Sequence, residues 1–477
     1  VRIECSRQPA AEIESDLVCF GLCEGDELPE ELRSARGAAD VGGELKKLAM
    51  LRPERPERVL VVGLGPRDDL DLERLRVAAA LAVRQSRRFR GSSICWSVPA
   101  IDSGEAALVE GTVMAAYRFD RFKSDDEEDE AMLERLTLCG DVQQERADAA
   151  GIVAEAANRA RELQNLPANV ANPGYLVERA HEIAAEHSSL TLEVLDRAAM
   201  QELGMGGLLA VGAGSAGEPA LIALRRQGSG VRLALVGKAV TFDSGGISLK
   251  PAQGMEEMKM DMSGGAAVLE ATAAIAELGL DLDLIAAVPA VENMPSGTAT
   301  RPGDIITQLN GTTVEVNNTD AEGRLILADA LTWCARQGAE RMIDIATLTG
   351  AVVVALGSTH AALIGNDDEL VDNLEAAGRR SGELLWRLPL HPEYGELMKG
   401  TAADLANSAP KRKAGTITAA SFLERFTEGV GWAHIDIAGT SWEVGREYVG
   451  KGATGFGVRL LVEAARSLAG ADQQGAG

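Results

Sequence analysis

Two spacings of apolar residues alternate along this chain. Short Val-, Leu- and Ile-rich runs give way to stretches in which apolar side chains return every three or four positions, the mark of strand followed by amphipathic helix. Arg58-Val59-Leu60-Val61-Val62 is the first clear strand. It closes in Gly63-Leu64-Gly65-Pro66, and Leu72, Leu75, Ala79 and Leu81-Ala82 mark the helix after it. Such a βα unit predicts an α/β domain. From Glu145 to Gln164 the chain is rich in Ala, Glu and Arg, with no glycine after Gly151, which predicts a long helix. Asn165-Leu166-Pro167-Ala168-Asn169 and Asn172-Pro173 end it, because proline cannot continue a helix. Alternation then resumes. Strands are expected over Val231 to Val240, Leu282 to Val291 and Thr312 to Val316, and helices over Gly264 to Leu278 and Leu325 to Gln337. The expected organisation is a smaller N-terminal α/β domain over 1–145, a linking helix over 146–165 and a larger α/β domain over 166–477. The larger domain is expected to carry a mostly parallel central sheet with flanking helices. Asp125 to Glu130, six consecutive acids, read as a solvated loop.

Composition narrows the classes of function. With 46% apolar and 25% charged residues, the 477-residue chain is not a disordered one. No apolar run approaches the roughly 18 residues of a membrane helix. Lys and Arg number 47 against 72 Asp and Glu, a net charge of −25, which opposes nucleic-acid and anionic-lipid binding. The local exception is the basic stretch Arg84-Gln85-Ser86-Arg87-Arg88-Phe89-Arg90. Six cysteines form no CxxC pair and read as free thiols of a reducing compartment. Val1-Arg2-Ile3-Glu4-Cys5 has no basic segment leading into an apolar one, so a cytoplasmic location is expected.

Gly212-Ala213-Gly214-Ser215-Ala216-Gly217 matches the dinucleotide fingerprint, but that motif must open a helix. Here Glu218-Pro219 and a strand-like Ala220 to Leu224 follow it. Histidine offers no HExxH, and serine no G-x-S-x-G elbow. Chemistry must therefore rest on carboxylates and lysines. Three segments concentrate them. In the first, the apolar run Leu233 to Val236 leads into Lys238, then Asp243 on a Ser244-Gly245-Gly246 turn, then Lys250. Ligands of open α/β sheets bind at such strand ends. The second is Met258-Lys259-Met260-Asp261-Met262, before an Ala-rich helix starting at Ser263. If extended, it would set Lys259 and Asp261 on one face and the methionines on the other. The third is Asn317-Asn318-Thr319-Asp320-Ala321-Glu322-Gly323-Arg324. A simple helix cap suits Asp320 and Glu322, but Gly323 in a first turn costs up to ~1 kcal/mol relative to alanine. Glycine is sensible where the backbone must approach a ligand closely, and a non-helical start would aim Asp320, Glu322 and Arg324, spaced by two, inward. Gathered together, Asp243, Asp261, Asp320 and Glu322 repel one another unless cations lie between them. Two divalent ions about 3.5–4 Å apart would neutralise them and activate a bridging water. Oxygen ligands suit Mn²⁺ or Mg²⁺ best and Zn²⁺ acceptably.

These residues resemble the leucyl aminopeptidase family of the cytosolic dinuclear-metal type. Asn318-Thr319-Asp320-Ala321-Glu322-Gly323-Arg324-Leu325 is identical to its signature, and the segments from Val236 to Pro251 and from Met258 to Gly264 match it too. So do Glu292 to Gly297, Arg301 to Asp304, Thr347 to Ala351 and His434 to Gly439, in family order. The first 150 residues match only in general character. The resemblance implies a metallopeptidase catalytic domain over 166–477 that releases N-terminal residues, leucine and similar ones preferred, by attack of a metal-bridging water. It implies one ion (Mn²⁺ or Zn²⁺) on Lys238, Asp243, Asp261 and Glu322. The second would sit on Asp243, Glu322 and the side chain and carbonyl of Asp320. Lys250 would polarise the scissile carbonyl, and Arg324 would hold bicarbonate as general base, helped by backbone near Leu348. Met258, Thr347, Gly350 and Ala438 would line the side-chain pocket. A homohexamer is implied, with the N-terminal domain serving assembly or regulation. Ala239 departs from the glycine usual in relatives. Two other readings stay open here: a two-metal phosphoesterase, and a DNA-binding accessory role, which some family members have.

Overall fold

A computed structural model describes residues 1–124, 132–410 and 413–475, with side chains to 470. The acidic run Asp125 to Glu130 lies outside the described residues. The chain divides into two units, Val1–Asn158 with Gly445–Gly450, and Arg159–Val444 with Lys451–Gly477. The helix Gln144–Asn165 runs from one into the other.

The first unit holds strands β1 (Arg2–Ser6), β2 (Leu17–Cys23), β3 (Leu48–Leu51), β4 (Val59–Gly65), β5 (Ser93–Ser97) and β6 (Arg135–Cys139). They form one sheet in the order β1-β6-β5-β2-β4-β3. Pairing is parallel except between β3 and β4. Every residue of β4 is buried, as expected of a strand covered on both faces, and this is why Arg58 to Val62 reads as a continuous apolar run. Asp71 caps the next helix, Leu72–Arg87, by accepting from Arg74 N. Two arginines of the basic stretch at that helix's end bond within the protein: Arg84 donates to Glu447 O, and Arg87 to the carbonyls of Ala115 and Ala116. All six cysteines are free.

The second unit is built on β7 (Leu190–Leu195), β8 (Ala220–Arg226), β9 (Leu233–Gly237), β10 (Ala239–Asp243) and β11 (Leu284–Asn293). Next come β12 (Ile305–Thr307), β13 (Thr313–Glu315), β14 (Arg341–Ala346), β15 (Ala361–Gly365), β16 (Leu385–Arg387), β17 (Leu405–Ala406) and β18 (Gly431–Asp436). The main sheet runs β16-β15-β18-β14-β9-β11-β8-β7, with β10 also pairing β11. Its centre is parallel, β18-β14-β9-β11. The pairs β11·β8, β8·β7 and β15·β18 are antiparallel, so the sheet is mixed, with the parallel strands at its heart. β12, β13 and β17 make a small separate sheet. Beyond Gly212 to Gly217 the chain does enter a strand, β8, and not a helix.

Two helices determine what happens at the sheet's carboxyl edge. Ser263–Glu277 is buried from Ser263 to Ile275, and its small residues let it press on the strands. A Cβ on Gly264 would lie 2.0 Å from Ile345 O, and one on Gly265 would lie 2.7 Å from the Ala239 methyl. That methyl is accommodated because residue 265 has no side chain. Gly323–Arg336 is buried from Gly323 to Cys334 and packs into the core with Val236, Val240 and Val291.

Candidate metal centre

The strand expected over 231–240 is interrupted at Lys238, between β9 and β10. The backbone still belongs to the sheet, with Lys238 N donating to Ile345 O and Gly265 N to Lys238 O. The break aims the lysine across the carboxyl ends of β9 and β14, a position where α/β sheets bind ligands. Its Nζ lies 2.7 Å from Asp261 Oδ1, 2.9 Å from Glu322 Oε1 and 3.0 Å from Thr347 O. Burial alone would lower the pKa of this ammonium, but Asp261, Glu322 and Asp243 outweigh it and hold it high.

Asp243 ends β10. Its Oδ1 accepts from Gly245 N at 2.9 Å and Asn293 Nδ2 at 2.8 Å, and its Oδ2 lies 2.7 Å from Lys250 Nζ. Gly245 and Gly246, at φ 86° and 63°, make the turn that returns Lys250 to the site. A Cβ on Gly245 would fall 2.8 Å from Asp320 Oδ1. Lys250 Nζ also lies 2.5 Å from Asp320 Oδ1. Asn293 ties the two acidic segments together, since its Nδ2 also donates to Thr319 O at 3.0 Å.

The segment around Asp261 is not extended. Met255–Met262 is a 3₁₀ helix, so Lys259 and Asp261 do not share a face. Lys259 Nζ donates instead to Asn165 O at 2.7 Å, while Asp261 turns inward to Lys238 and accepts from Thr347 Oγ1 at 2.7 Å. Gly323 does begin a helix, and its lack of a side chain has a local reason. A Cβ there would lie 2.6 Å from Lys238 Cε and 2.8 Å from its Nζ.

Oxygens of Asp243, Asp320 and Glu322 lie within 4.8 Å of one another. Asp261 joins them through the shared Lys238. Burial raises the Asp243 pKa to about 6, with Glu322 adding to it, and burial also raises those of Asp320 and Asp261. Glu322 is the exception: burial opposes ionisation, but Lys238 and Lys250 hold it below the usual range. Asp261 Oδ2 and Glu322 Oε2 are buried with no hydrogen-bond partner among the described residues. Four carboxylates against two lysines, with oxygens left over, make a donor set that fits divalent cations.

Comparison with known proteins agrees. The profile of the cytosol aminopeptidase family, catalytic domain, matches residues 158–462, and the profile of its N-terminal domain matches residues 30–126. The chain belongs to the cytosol aminopeptidase family. It is 48% identical over 421 residues to a probable cytosol aminopeptidase from Geobacter sp., covering 85% of each chain. It is 45% identical over 471 residues to one from Roseiflexus castenholzii, covering 95% of this chain and 96% of that one. Among solved structures, a tomato leucine aminopeptidase mutant superposes with TM-score 0.89 at 34% identity, covering 98% and 96%. The bottromycin maturation enzyme BotP in complex with Mn superposes with TM-score 0.88 at 35% identity, covering 96% and 100%. This aminopeptidase is thus a hydrolase of a family that depends on a dinuclear metal centre. None of its described helices is long and apolar enough to cross a membrane.

Of the remaining expected site residues, Thr347 reaches the cluster, through Lys238 and Asp261. Arg324 is buried, its Nε has no hydrogen-bond partner among the described residues, and burial lowers its pKa to about 10 despite the nearby charges of Glu322 and Asp436. Thr347 is buried at the end of β14, and Leu348 and Ala438 are half-buried, their N–H groups meeting on Asp436 Oδ1. Gly350 is exposed at the start of the helix Gly350–Leu356. Met258 is half-buried, three residues before Asp261 in the same 3₁₀ helix. Thr347, Leu348 and Gly350 share the stretch of chain that follows β14, whereas Met258 comes from the 3₁₀ helix that carries Asp261. The sequence reading assigned no role to Asn293, Asp436 or the Asp344–His434 pair. A signal existed: His434 and Asp436 interrupt an otherwise apolar strand at alternate positions, so both face one side of the sheet.

Proposed function

We propose that this aminopeptidase removes leucine and similar apolar residues from the N-termini of peptides, using Lys238, Asp243, Asp261, Asp320 and Glu322 to hold two divalent ions. The observation that carries this is the gathering of four carboxylates from separate parts of the chain, two of them with buried oxygens that none of the described residues hydrogen-bonds. Mn²⁺ or Zn²⁺ suits the donor set, with Lys238 joining only as the neutral amine and so giving up the proton it now shares with Asp261 and Glu322. Bound there, such ions supply a Lewis acid and a water acidic enough to act as nucleophile near neutral pH.

The chain's own residues supply the rest. Lys250 is a fixed cation at the rim of the cluster, placed to stabilise negative charge developing on the scissile carbonyl oxygen. Arg324, buried with an unused Nε–H, is suited to hold a small anion such as bicarbonate as proton acceptor. Thr347, Leu348, Ala438, Met258 and Gly350 would border the space for the departing residue's side chain. As the family resemblance implies, the reading includes a homohexamer. Val353 and Val354, 44% and 90% exposed on the helix after Gly350, offer apolar surface to such an assembly.

Hydrolysis of leucine p-nitroanilide tests the assignment. Activity is expected with Mn²⁺ or Zn²⁺ and is expected to vanish with chelator. Lys250→Ala and Asp320→Ala are expected to lose at least 100-fold in kcat/KM, the scale seen on removing one electrostatic catalytic group. Full activity in either variant refutes its role.

A further inference from the structure

Asp436 is fully buried at the end of β18, yet none of its recorded hydrogen bonds goes to the four clustered carboxylates or their lysines. Its carboxylate is used on the turn that follows β14. Oδ1 accepts from the N–H groups of Leu348 at 3.1 Å, Thr349 at 3.3 Å and Ala438 at 3.3 Å. Oδ2 accepts from Thr349 Oγ1 at 2.6 Å. Thr349 in turn caps the helix Gly350–Leu356, accepting from Val352 N, and its hydroxyl lies 2.8 Å from Thr416 Oγ1. Charge-assisted bonds of this kind are the strong ones, and several on one carboxylate fix a turn firmly.

The turn so fixed carries Thr347, and Thr347 faces the other way. Its carbonyl accepts from Lys238 Nζ at 3.0 Å, and its hydroxyl donates to Asp261 Oδ1 at 2.7 Å. Lys238 and Asp261 are the two groups that, in the reading above, serve the first ion and not the second. A single buried carboxylate thus holds the turn whose residue Thr347 touches both ligands peculiar to the first ion position. We propose that Asp436 is a positioning residue of the metal centre: it clamps the 347–349 turn so that Thr347 sets Lys238 and Asp261 for one of the two ions. This rests on the dinuclear reading of the site. Groups that orient metal ligands typically change affinity by about 10–100-fold when removed.

Asp436→Asn keeps the shape but gives one carboxylate position a donor, which either faces the Leu348 and Thr349 N–H groups or displaces the Thr349 hydroxyl proton. Thr347→Val removes only the hydroxyl on Asp261, and Thr347→Ser restores it. The full-length chain is dialysed against graded Mn²⁺ and bound metal is counted by elemental analysis, with circular dichroism and thermal melts alongside. The parent is expected to take two ions. Asp436→Asn and Thr347→Val are expected to bind one ion as the parent does and the other about 10–100-fold more weakly, with Thr347→Ser close to the parent. Parent-like binding of both ions by Asp436→Asn, or equal weakening of both, overturns the proposal. Should Asp436→Asn not fold, Thr349→Val, which removes the hydroxyl on Asp436 Oδ2, takes its place, and parent-like binding of both ions by that variant overturns the proposal. A parent that takes fewer than two ions fails the dinuclear reading itself, and the positioning role with it.

Discussion

Gly323 has no room for a methyl group, because the stem and amine of Lys238 occupy the place a Cβ would take. In the sequence its position was legible as odd for a first helical turn, while the cause was not: the neighbour is 85 residues away, between two strands. Glycine was expected there for close approach of the backbone to a ligand, whereas the group it makes room for is the protein's own lysine. Gly323→Ala is expected to push Lys238 off Asp261 and Glu322, at a cost of about 1–3 kcal/mol from overpacking. Calorimetry should show the lower stability, and metal analysis the loss of one ion. The Asp243, Asp320 and Glu322 carboxylates were visible from their segments, and the structure does gather them. A hydroxyl such as that of Thr347, or an amide such as Asn293, gives no comparable signal, since its role depends wholly on which acid the fold places beside it.

Among the elements, β14 and β18 carry a buried charge pair in register, Asp344 opposite His434. His434 Nδ1 lies 2.6 Å from Asp344 Oδ1, and Trp432 Nε1 donates to Asp344 Oδ2 at 2.6 Å. Burial would lower the histidine pKa, but the Asp344 charge and hydrogen bond outweigh it and raise it above the usual value. Because the folded-state value exceeds the unfolded one, the stabilisation is complete below about pH 6.5 and is lost as pH climbs through the folded value. Thermal midpoints of the parent are therefore expected to fall over that interval. Asp344→Asn should remove this slope and cost about 3–5 kcal/mol at the acidic end, as breaking a buried pair does; an unchanged pH profile in melts of the variant would contradict this. The central strands and the two helices at the site were legible because burial on both sides leaves long apolar runs. The outer antiparallel pairings were not, because strand direction is set by distant partners. Met258 to Met262 misled for a related reason: five alternating residues are too few to separate a period of two from a period of three, and packing chose the 3₁₀ turn.

For the molecule as a whole, the −25 charge includes a focus of negative charge that folding itself creates. Ions that bind only the folded chain stabilise it by mass action, about 2.7 kcal/mol per site at a hundredfold excess over Kd. Adding Mn²⁺ to chelator-treated protein is expected to raise the melting temperature, and Asp261→Asn to reduce that rise; scanning calorimetry with and without Mn²⁺ measures both.

The division into two units carries one more consequence, because Gly445–Gly450 groups with the first 158 residues although it lies near the far end of the chain. Tyr448 is fully buried there, and its hydroxyl bonds Glu73 at 2.9 Å. The polypeptide therefore crosses between its halves three times, and no single cut separates them. A truncated gene beginning after residue 158 would produce a fragment with a bare aromatic finger, prone to self-association. Whoever wishes to study the hydrolytic half alone must replace that excursion with a short polar bridge.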